Sequence, residues 1–368
     1  MMHTTADKRA AFRAMHERGC FILPTPWDVG SARFLQGLGF GGLATSSASF
    51  AWAAGRPDNT SSRDMVLQHI RDIVHATDLP VNADFENGFA DDLEGLGENV
   101  CCAVQTGIAA LSIKDSTDDA DSPMFPIDAA VERLRVARSR IDEMGGDTLL
   151  VGRAENFFIG PHDLTDTVVR IKAYAKAGAD VLCAPGICTP QEISAVVAAA
   201  GGKPVDLLIG SNTTLTFKEI AQLGVRRISV GDALTLSAWG GFLRAATALA
   251  HGELNGLYEL ANGHQLNNFF RFTGEDHLTA QPASITGKVE YREGEGALLT
   301  IPMGLVEVET SSVDAVVTWS DGESNGFAAL PVANFCQYVA DGVIAIANKP
   351  PYLTNSIEAG KTTLGQRL

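Results

Sequence analysis

The sequence predicts an α/β protein: a (β/α)8 barrel of the TIM type followed by a small antiparallel, β-rich domain. Three observations predict it. From residue 20 to 250 a short apolar run, a polar turn and an amphipathic helical period repeat in the same order. Eight such apolar runs occur, the number of parallel strands that closes a barrel. The turn after the first run, Pro24-Thr-Pro-Trp-Asp-Val-Gly, is not the Gly-rich fingerprint of an open, doubly wound dinucleotide fold.

The elements follow in order. Met1–Cys20 mixes charged and apolar residues without an apolar central stretch, so it reads as a helix and not as a signal peptide. Phe21–Leu23, Gly42–Thr45, Pro80–Asp84 and Ala109–Ile113 form the first four strands. Thr148–Gly152, Asp180–Cys183, Val205–Ile209 and Arg227–Val230 form the second four. Strands buried on both faces read as continuous apolar runs, and these do. Helical periods at Ser62–His75, Asp128–Ile141, Leu164–Ala177 and Thr216–Leu223 lie between them. Gly39, Gly107, Gly178 and Gly224 stand where a helix must end and a strand begin, the position that favours a left-handed backbone.

The texture changes after about residue 265. Ala283–Arg292 alternates, and Leu305–Thr310 and Asp314–Ser320 continue with β-branched residues between Gly-, Asp- and Glu-rich turns. A helix is expected at Val332–Val339. The predicted division is a catalytic barrel over residues 1–262, a β-rich domain over 263–348 with no catalytic constellation, and a flexible tail over 349–368.

Composition excludes several classes. The 368 residues are 45% hydrophobic and 20% charged, which rules out general disorder. No run of about 18 apolar residues is present to span a bilayer. A net charge of −16 repels phosphate backbones and anionic lipid, so neither nucleic acid nor membrane is an expected partner. An anionic substrate then requires local cations or a metal. The six cysteines show no CxxC pair and no zinc-type spacing with histidine. They read as free thiols in a reducing compartment, hence a cytoplasmic protein.

Barrel chemistry belongs at the C-terminal ends of the strands. Trp27 and Asp28, Ser46 and Ser47, Asp84 and Glu86, Lys114 and Asp115, and Arg153, Glu155 and Asn156 fall there. Asp84 and Glu86 are two residues apart, so on an extended backbone both carboxylates project to one side. Paired carboxylates either share a proton or hold a hard cation such as Mg2+. Arg153 ends the run Leu149-Leu-Val-Gly-Arg, where a guanidinium can grip a carboxylate or phosphonate through two parallel bonds. No two of the eight histidines have metal-ligand spacing such as HExxH.

An ordered series of motifs then carries a resemblance: Leu23-Pro-Thr-Pro-Trp-Asp-Val-Gly-Ser-Ala, Ala44-Thr-Ser-Ser-Ala, Gly55-Arg-Pro-Asp58, Asn82-Ala-Asp-Phe-Glu-Asn-Gly-Phe, Ser112-Ile-Lys-Asp-Ser, Gly152-Arg-Ala-Glu-Asn-Phe and Gly224-Val-Arg-Arg-Ile-Ser-Val-Gly. Over roughly residues 8–262 the chain resembles the isocitrate lyase/phosphoenolpyruvate mutase superfamily, in its shorter, carboxyvinyl-carboxyphosphonate phosphorylmutase-like bacterial branch. The resemblance implies cleavage or rearrangement of C–C or P–C bonds in small 2-oxo and 2-hydroxy acids through an enolate, with Mg2+ or Mn2+. It implies Asp84, Glu86 and Asp58 as the metal carboxylates. It implies Ser46, Ser47 and Arg153 as substrate contacts; Trp27 and Asn156 are expected beside them from their strand-end positions, and Arg153, Lys114 and Asp58 are the expected catalytic groups. It also implies a homo-oligomer, tetramer or dimer, that exchanges the last barrel helix, here Leu234–Ala250.

Two departures from the family pattern matter. Where the family carries Ile-Glu-Asp after the fourth strand, this chain has Ile113-Lys114-Asp115. Lys114 shares parity with Ser112 and is expected to face Asp84 and Glu86, where its ammonium repels a dication by several kcal/mol even at an effective dielectric of about 20. The loop Ser116-Thr-Asp-Asp-Ala-Asp-Ser-Pro-Met-Phe-Pro replaces the Lys-Lys-Cys-Gly-His loop of isocitrate-cleaving members. Isocitrate and methylisocitrate are therefore excluded as substrates, leaving smaller oxaloacetate-like or phosphonopyruvate-like acids. Two alternatives stand beside the metal-dependent lyase or hydrolase. In one, Lys114 substitutes for the metal charge or forms a Schiff base. In the other, the barrel binds a ligand without catalysis.

Overall fold

A computed structural model describes residues 4–346 except 118, 120, 161, 211–212, 255–256, 258–259, 273–280, 293–295, 312 and 321–324. The expected tail at 349–368 lies outside the described residues. Two compact units emerge, one of Met1–Gln36 with Phe40–Tyr258 and one of Gly37–Gly39 with Glu259–Leu368.

The first unit holds eight parallel strands: β1 (Phe21–Leu23), β2 (Leu43–Ala44), β3 (Val81–Asp84), β4 (Ala110–Lys114), β5 (Leu149–Arg153), β6 (Val181–Cys183), β7 (Val205–Leu208) and β8 (Arg227–Ser229). They hydrogen-bond in the order β1-β8-β7-β6-β5-β4-β3-β2. β1 pairs with β8 from Phe21↔Arg227 to Leu23↔Ser229, which joins the first strand to the last. Across the remaining seam Ala44 N donates to Pro24 O at 2.9 Å. The result is a nearly closed barrel, as the eight apolar runs predict.

Helices α1 (Thr5–Met15), α2 (Val29–Gly37), α3 (Ser47–Ala53), α4 (Arg63–Ala76), α5 (Leu93–Val104), α6 (Ile127–Glu143), α7 (Asn156–Ile159), α8 (Leu164–Ala177), α9 (Pro190–Ala199), α10 (Phe217–Gln222) and α11 (Ala233–Ala250) alternate with the strands. Their starts are chemically marked. Thr189 and Thr216 each close a capping box with the glutamate three residues on, Glu192 and Glu219, satisfying donors that the helix itself cannot. Gly178 caps α8 at φ 108°, a conformation that costs any other L-residue steric strain.

Helix inner faces pack on strand outer faces. Ile70, Val100, Leu134, Ile171 and Ile193 meet Val81, Leu111, Leu150 and Leu182 in one buried cluster. Each fully buried aliphatic side chain contributes about 1.5–3 kcal/mol of transfer free energy. A second cluster fills the barrel, where Leu23, Ala44, Ala110, Val151, Val181 and Cys183 meet Phe12 from α1.

The barrel also encloses charge. Arg227 Nη2 lies 2.6 Å from Asp206 Oδ2, and Ser229 Oγ donates to Asp206 Oδ1 at 2.7 Å. Arg227 Nη1 reaches Asn82 Oδ1 at 3.3 Å, and Asn82 Nδ2 donates to Ser112 Oγ at 3.1 Å. Burial pushes the Asp206 carboxyl up, but the Arg227 guanidinium outweighs it and holds the group below the usual range. Burial and the nearby Arg227 charge together depress the His16 imidazole to about 4.

The second unit contains α12 (Gly263–Phe272), β9 (Gln281–Ile285), β10 (Val289–Arg292), β11 (Leu298–Ile301), β12 (Gly304–Thr310), β13 (Asp314–Ser320), β14 (Asn325–Pro331), α13 (Val332–Ala340) and β15 (Ile344–Ile346). Five strands form an antiparallel sheet in the order β14-β13-β12-β9-β15, and β10 pairs with β11. The alternating run Ala283–Arg292 divides at Thr286–Lys288, so its two halves join different sheets. Val306, Val308, Ala315, Val317, Ala328 and Leu330 are buried, as are Val332, Phe335 and Cys336 of α13, which packs on this sheet.

All six cysteines are free thiols. Among the described residues no helix is long and apolar enough to cross a membrane.

Candidate active site

Asp84 ends β3, Lys114 ends β4 and Arg153 ends β5, and the register pairs Lys114 directly with Arg153. Because inward positions alternate along each strand, these three side chains meet at the C-terminal mouth. Lys114 Nζ lies 3.3 Å from Asp84 Oδ2, and Arg153 Nη1 lies 3.6 Å from Asp84 Oδ1. Their side chains are 12%, 10% and 16% exposed in the order Lys114, Asp84, Arg153, so the cluster is largely screened from solvent. Ser47 directs its backbone N–H and its hydroxyl at Asp84 Oδ2, each at 3.5 Å, and Lys114 Nζ donates to Ser47 Oγ at 3.3 Å. Thr45 Oγ1 accepts from Asp84 N at 3.0 Å and fixes the strand end.

Electrostatics follow from these distances. Burial pushes the Asp84 carboxyl up, but the Lys114 ammonium and Arg153 guanidinium beside it outweigh that and hold it below the usual carboxylate range. Burial pushes the Arg153 guanidinium down, but Glu155 and Asp84 reverse that and raise it. Asp84 is therefore ionised at neutral pH, an acceptor and an anchor and not a proton donor.

A second layer holds Arg153. Its Nε donates to Glu155 Oε1 at 2.8 Å, and Glu155 N donates to Asp115 Oδ1 at 2.8 Å. Asp115 Oδ2 accepts from Arg170 Nη1 at 2.9 Å and from the Tyr174 hydroxyl. Burial raises the Asp115 carboxyl despite these donors, and burial together with Asp115 pushes the Tyr174 hydroxyl up as well. Asp115 thus ties the end of β4 to the chain after β5. The motif reading notes Asp115 and Glu155 as strand-end residues and gives Thr45 no role, and it leaves Arg170 and Tyr174 out. Arg170 and Tyr174 are one turn apart on α8, a spacing that places both on one face. No local pattern says that this face meets a carboxylate 55 residues away.

The expected site residues divide into two groups. Asp84, Lys114, Arg153 and Ser47 converge. Ser46 sits beside them, but its hydroxyl caps α3 by accepting from Ser49 N at 3.3 Å. Glu86 is buried next to the cluster, and its backbone N donates to Asp84 Oδ1 at 3.4 Å. The expectation that Asp84 and Glu86 share one side of an extended strand does not hold. The strand stops at Asp84, and Glu86 has a φ of 47°, in the left-handed region, so two-residue alternation does not reach it.

The others make their hydrogen bonds elsewhere. Asn156 spends its amide on its own segment: Nδ2 donates to Asp166 Oδ2 at 2.9 Å, and Oδ1 accepts from Thr167 Oγ1 at 3.2 Å. Asp58 accepts from the adjacent Asn59 N at 2.9 Å, and Trp27 N donates to Ser31 Oγ at 3.1 Å. Among the described residues no hydrogen bond or ion pair joins Asp58, Trp27 or Asn156 to Asp84.

The donor set does not suit the divalent metal that the motif resemblance implies. Mg2+ and Mn2+ take several oxygen ligands at short range. Both Asp84 oxygens instead face cationic nitrogens. Among the described residues no three His, Cys, Asp or Glu side chains gather as a possible metal site.

The family model described as phosphoenolpyruvate phosphomutase matches residues 12–250. A solved structure from Burkholderia cenocepacia J2315, titled as a lyase/mutase, is 44% identical with a TM-score of 0.70, covering 73% of this chain and 97% of that one. A second from the same organism, titled as a phosphonomutase, is 34% identical with a TM-score of 0.62, covering 67% and 99%. The oxaloacetate decarboxylase of Pseudomonas putida GB-1 is 28% identical over 242 residues, 63% of this chain and 81% of that protein. Barrel, strand-end cluster and family match agree: the chain belongs to the phosphoenolpyruvate mutase family and is an enzyme of its lyase and mutase type.

Proposed function

We propose that the protein cleaves a C–C bond, or a P–C bond, in a small 2-oxo or 2-hydroxy acid through an enolate. The observation that carries this reading is the convergence of Lys114 and Arg153 on Asp84 at the barrel mouth, two cations in a screened site of an otherwise acidic chain. Relatives named for oxaloacetate decarboxylation and phosphonomutase chemistry support the substrate class. In a β-carboxy 2-oxo acid, the bond to the departing carboxyl breaks and that carbon leaves as CO2. The electron pair moves between C2 and C3, the 2-oxo oxygen takes the negative charge, and a proton added at C3 completes the product.

Arg153 receives the substrate carboxylate through its paired N–H groups. Lys114 faces the oxygen on which charge develops, where a preorganised donor lowers the barrier most. Ser46 and Ser47 contribute donors to the substrate oxygens, and Asp84 holds both cations in place. The Mg2+ or Mn2+ expected from the motifs enters no step. The acidic loop at 116–126 supplies no cation for a tricarboxylate, which supports excluding isocitrate and methylisocitrate. A cytoplasmic homo-oligomer belongs to the same reading. The exposed Leu236, Phe242 and Leu243 of α11 support association, and light scattering tests it.

The test is turnover by the intact chain. Oxaloacetate, phosphonopyruvate and 2-alkylmalates are offered with and without added Mg2+, and pyruvate or phosphate is followed. Release from one of these acids, reduced at least a hundredfold by Arg153→Ala, is expected. No turnover of any, or an unchanged rate in the variant, refutes the reading.

A further inference from the structure

The contacts of the Asp84 carboxylate are all long. Lys114 Nζ lies 3.3 Å from Asp84 Oδ2 and 3.3 Å from Ser47 Oγ, and Arg153 Nη1 lies 3.6 Å from Asp84 Oδ1. Saturated charge-assisted bonds run to about 2.7–2.9 Å. The same chain makes such bonds elsewhere, as between Arg227 and Asp206 at 2.6 Å. Arg153 itself makes one, at 2.8 Å, through Nε to Glu155. That bond orients the guanidinium and leaves the Nη edge only loosely held by Asp84. Lys114 carries three donors, and neither of its two partners lies at ideal distance. Two cations therefore stand side by side, positioned by a carboxylate but not consumed by it. A hard dication would have to take Asp84 from both.

We propose that the Lys114 ammonium is the built-in cation of this site. With Arg153 it binds the carboxylate and the 2-oxo oxygen of the substrate directly, as an ion pair, without a divalent metal. The ligand class is a planar, vicinal dioxo anion: a 2-oxo acid, its enolate, or a dicarboxylate of the same shape. This rests on the 2-oxo acid reading above. It goes further in assigning the charge that metals supply in such chemistry to a residue of the chain. Asp84 then acts as a positioning residue for both cations, which meet the substrate anion when it enters.

Calorimetry on the full-length protein separates the two arms. Oxalate, a planar dioxo dianion, is titrated in excess EDTA into wild type, Lys114→Met and Lys114→Gln. Mn2+ alone is titrated into wild type, Asp84→Asn and Lys114→Glu. The expected result is oxalate binding in EDTA, weakened at least tenfold in both uncharged variants. No Mn2+ binding that depends on Asp84 is expected in wild type, and a Mn2+ site appears in Lys114→Glu. Oxalate binding that requires Mn2+, or a wild-type Mn2+ site removed by Asp84→Asn, overturns the proposal. The wild-type titrations decide it even where a variant fails to fold. Oxalate bound without metal by a chain that turns over none of the acids upholds this proposal and refutes the reaction, so the two failures are distinguishable.

Discussion

Two buried ion clusters share one barrel and are built differently. Arg227 and Asp206 meet at 2.6 Å, and Ser229 and Asn82 take further bonding positions. At the mouth, Lys114, Arg153 and Ser47 approach Asp84 at 3.3–3.6 Å. Burial would neutralise either aspartate, and in both clusters cationic neighbours keep it ionised. The inner cluster is tightly bonded and 1–5% exposed, which suits a group that holds the barrel together. The outer one retains bonding capacity next to solvent. The difference teaches that tightness, more than the presence of charge, separates a structural ion pair from a site waiting for an anion.

The largest effect should fall on the inner cluster. Arg227→Met leaves Asp206 charged, buried and without its guanidinium, and chemical denaturation should show a loss of about 3–5 kcal/mol. A loss below about 1 kcal/mol would erase the distinction. At the mouth the balance reverses. Lys114→Met should lower kcat/KM a hundred- to a thousandfold, about 3–4 kcal/mol in the barrier, while moving stability by no more than about 1 kcal/mol. Equal losses of stability from the two substitutions would make the mouth structural as well.

Acid should strike the inner cluster through His16. Its imidazole is held at about 4 in the fold against about 6.5 in the unfolded chain. The unfolded chain therefore binds a proton first as pH falls. Stability is lost between about pH 6.5 and 4 and then levels off, by at most about 3 kcal/mol. Buried His69, also held at about 4, contributes over the same window, so His16→Gln should reduce the slope of that segment without removing it, and an unchanged slope would break the assignment. The smallest effect is expected at Tyr174→Phe, which removes one hydrogen bond to Asp115 while Arg170 remains. About 1 kcal/mol of stability and a rise in KM with little change in kcat should follow, because Arg153 is positioned less firmly.

Much of the barrel is readable from the chain because its strands are short apolar runs with sharp polar ends. Leu164–Ala177 is a helix over the same residues that the pattern indicates, and the eight strand positions agree to within one or two residues. Gly39, Gly107, Gly178 and Gly224 all have positive φ, as the helix-ending reading requires. Asp84, Lys114 and Arg153 are also readable, because parity along a strand states which way a side chain faces. Parity fails beyond the strand end, and Glu86, two residues past it, shows it. The Asp115, Arg170 and Tyr174 knot is unreadable for another reason: its partners are 55 and 59 residues apart, and only packing of α8 against the barrel joins them. Asn156 illustrates the converse, a polar residue at a strand end whose bonds all run back into its own connection.

Lys114 is bonded to the backbone of β4, and that attachment has a consequence for supply. A charge carried on a side chain is delivered at translation, one per chain, and cannot be diluted, chelated or exchanged for a competing ion. With Lys114 as the proposed cation, the site would need no loading step, and its occupancy would not follow cation levels in its surroundings. Its exposure is of a different kind. An acyl donor or cyanate that caps the one amine abolishes the charge until the cap is removed or the chain replaced.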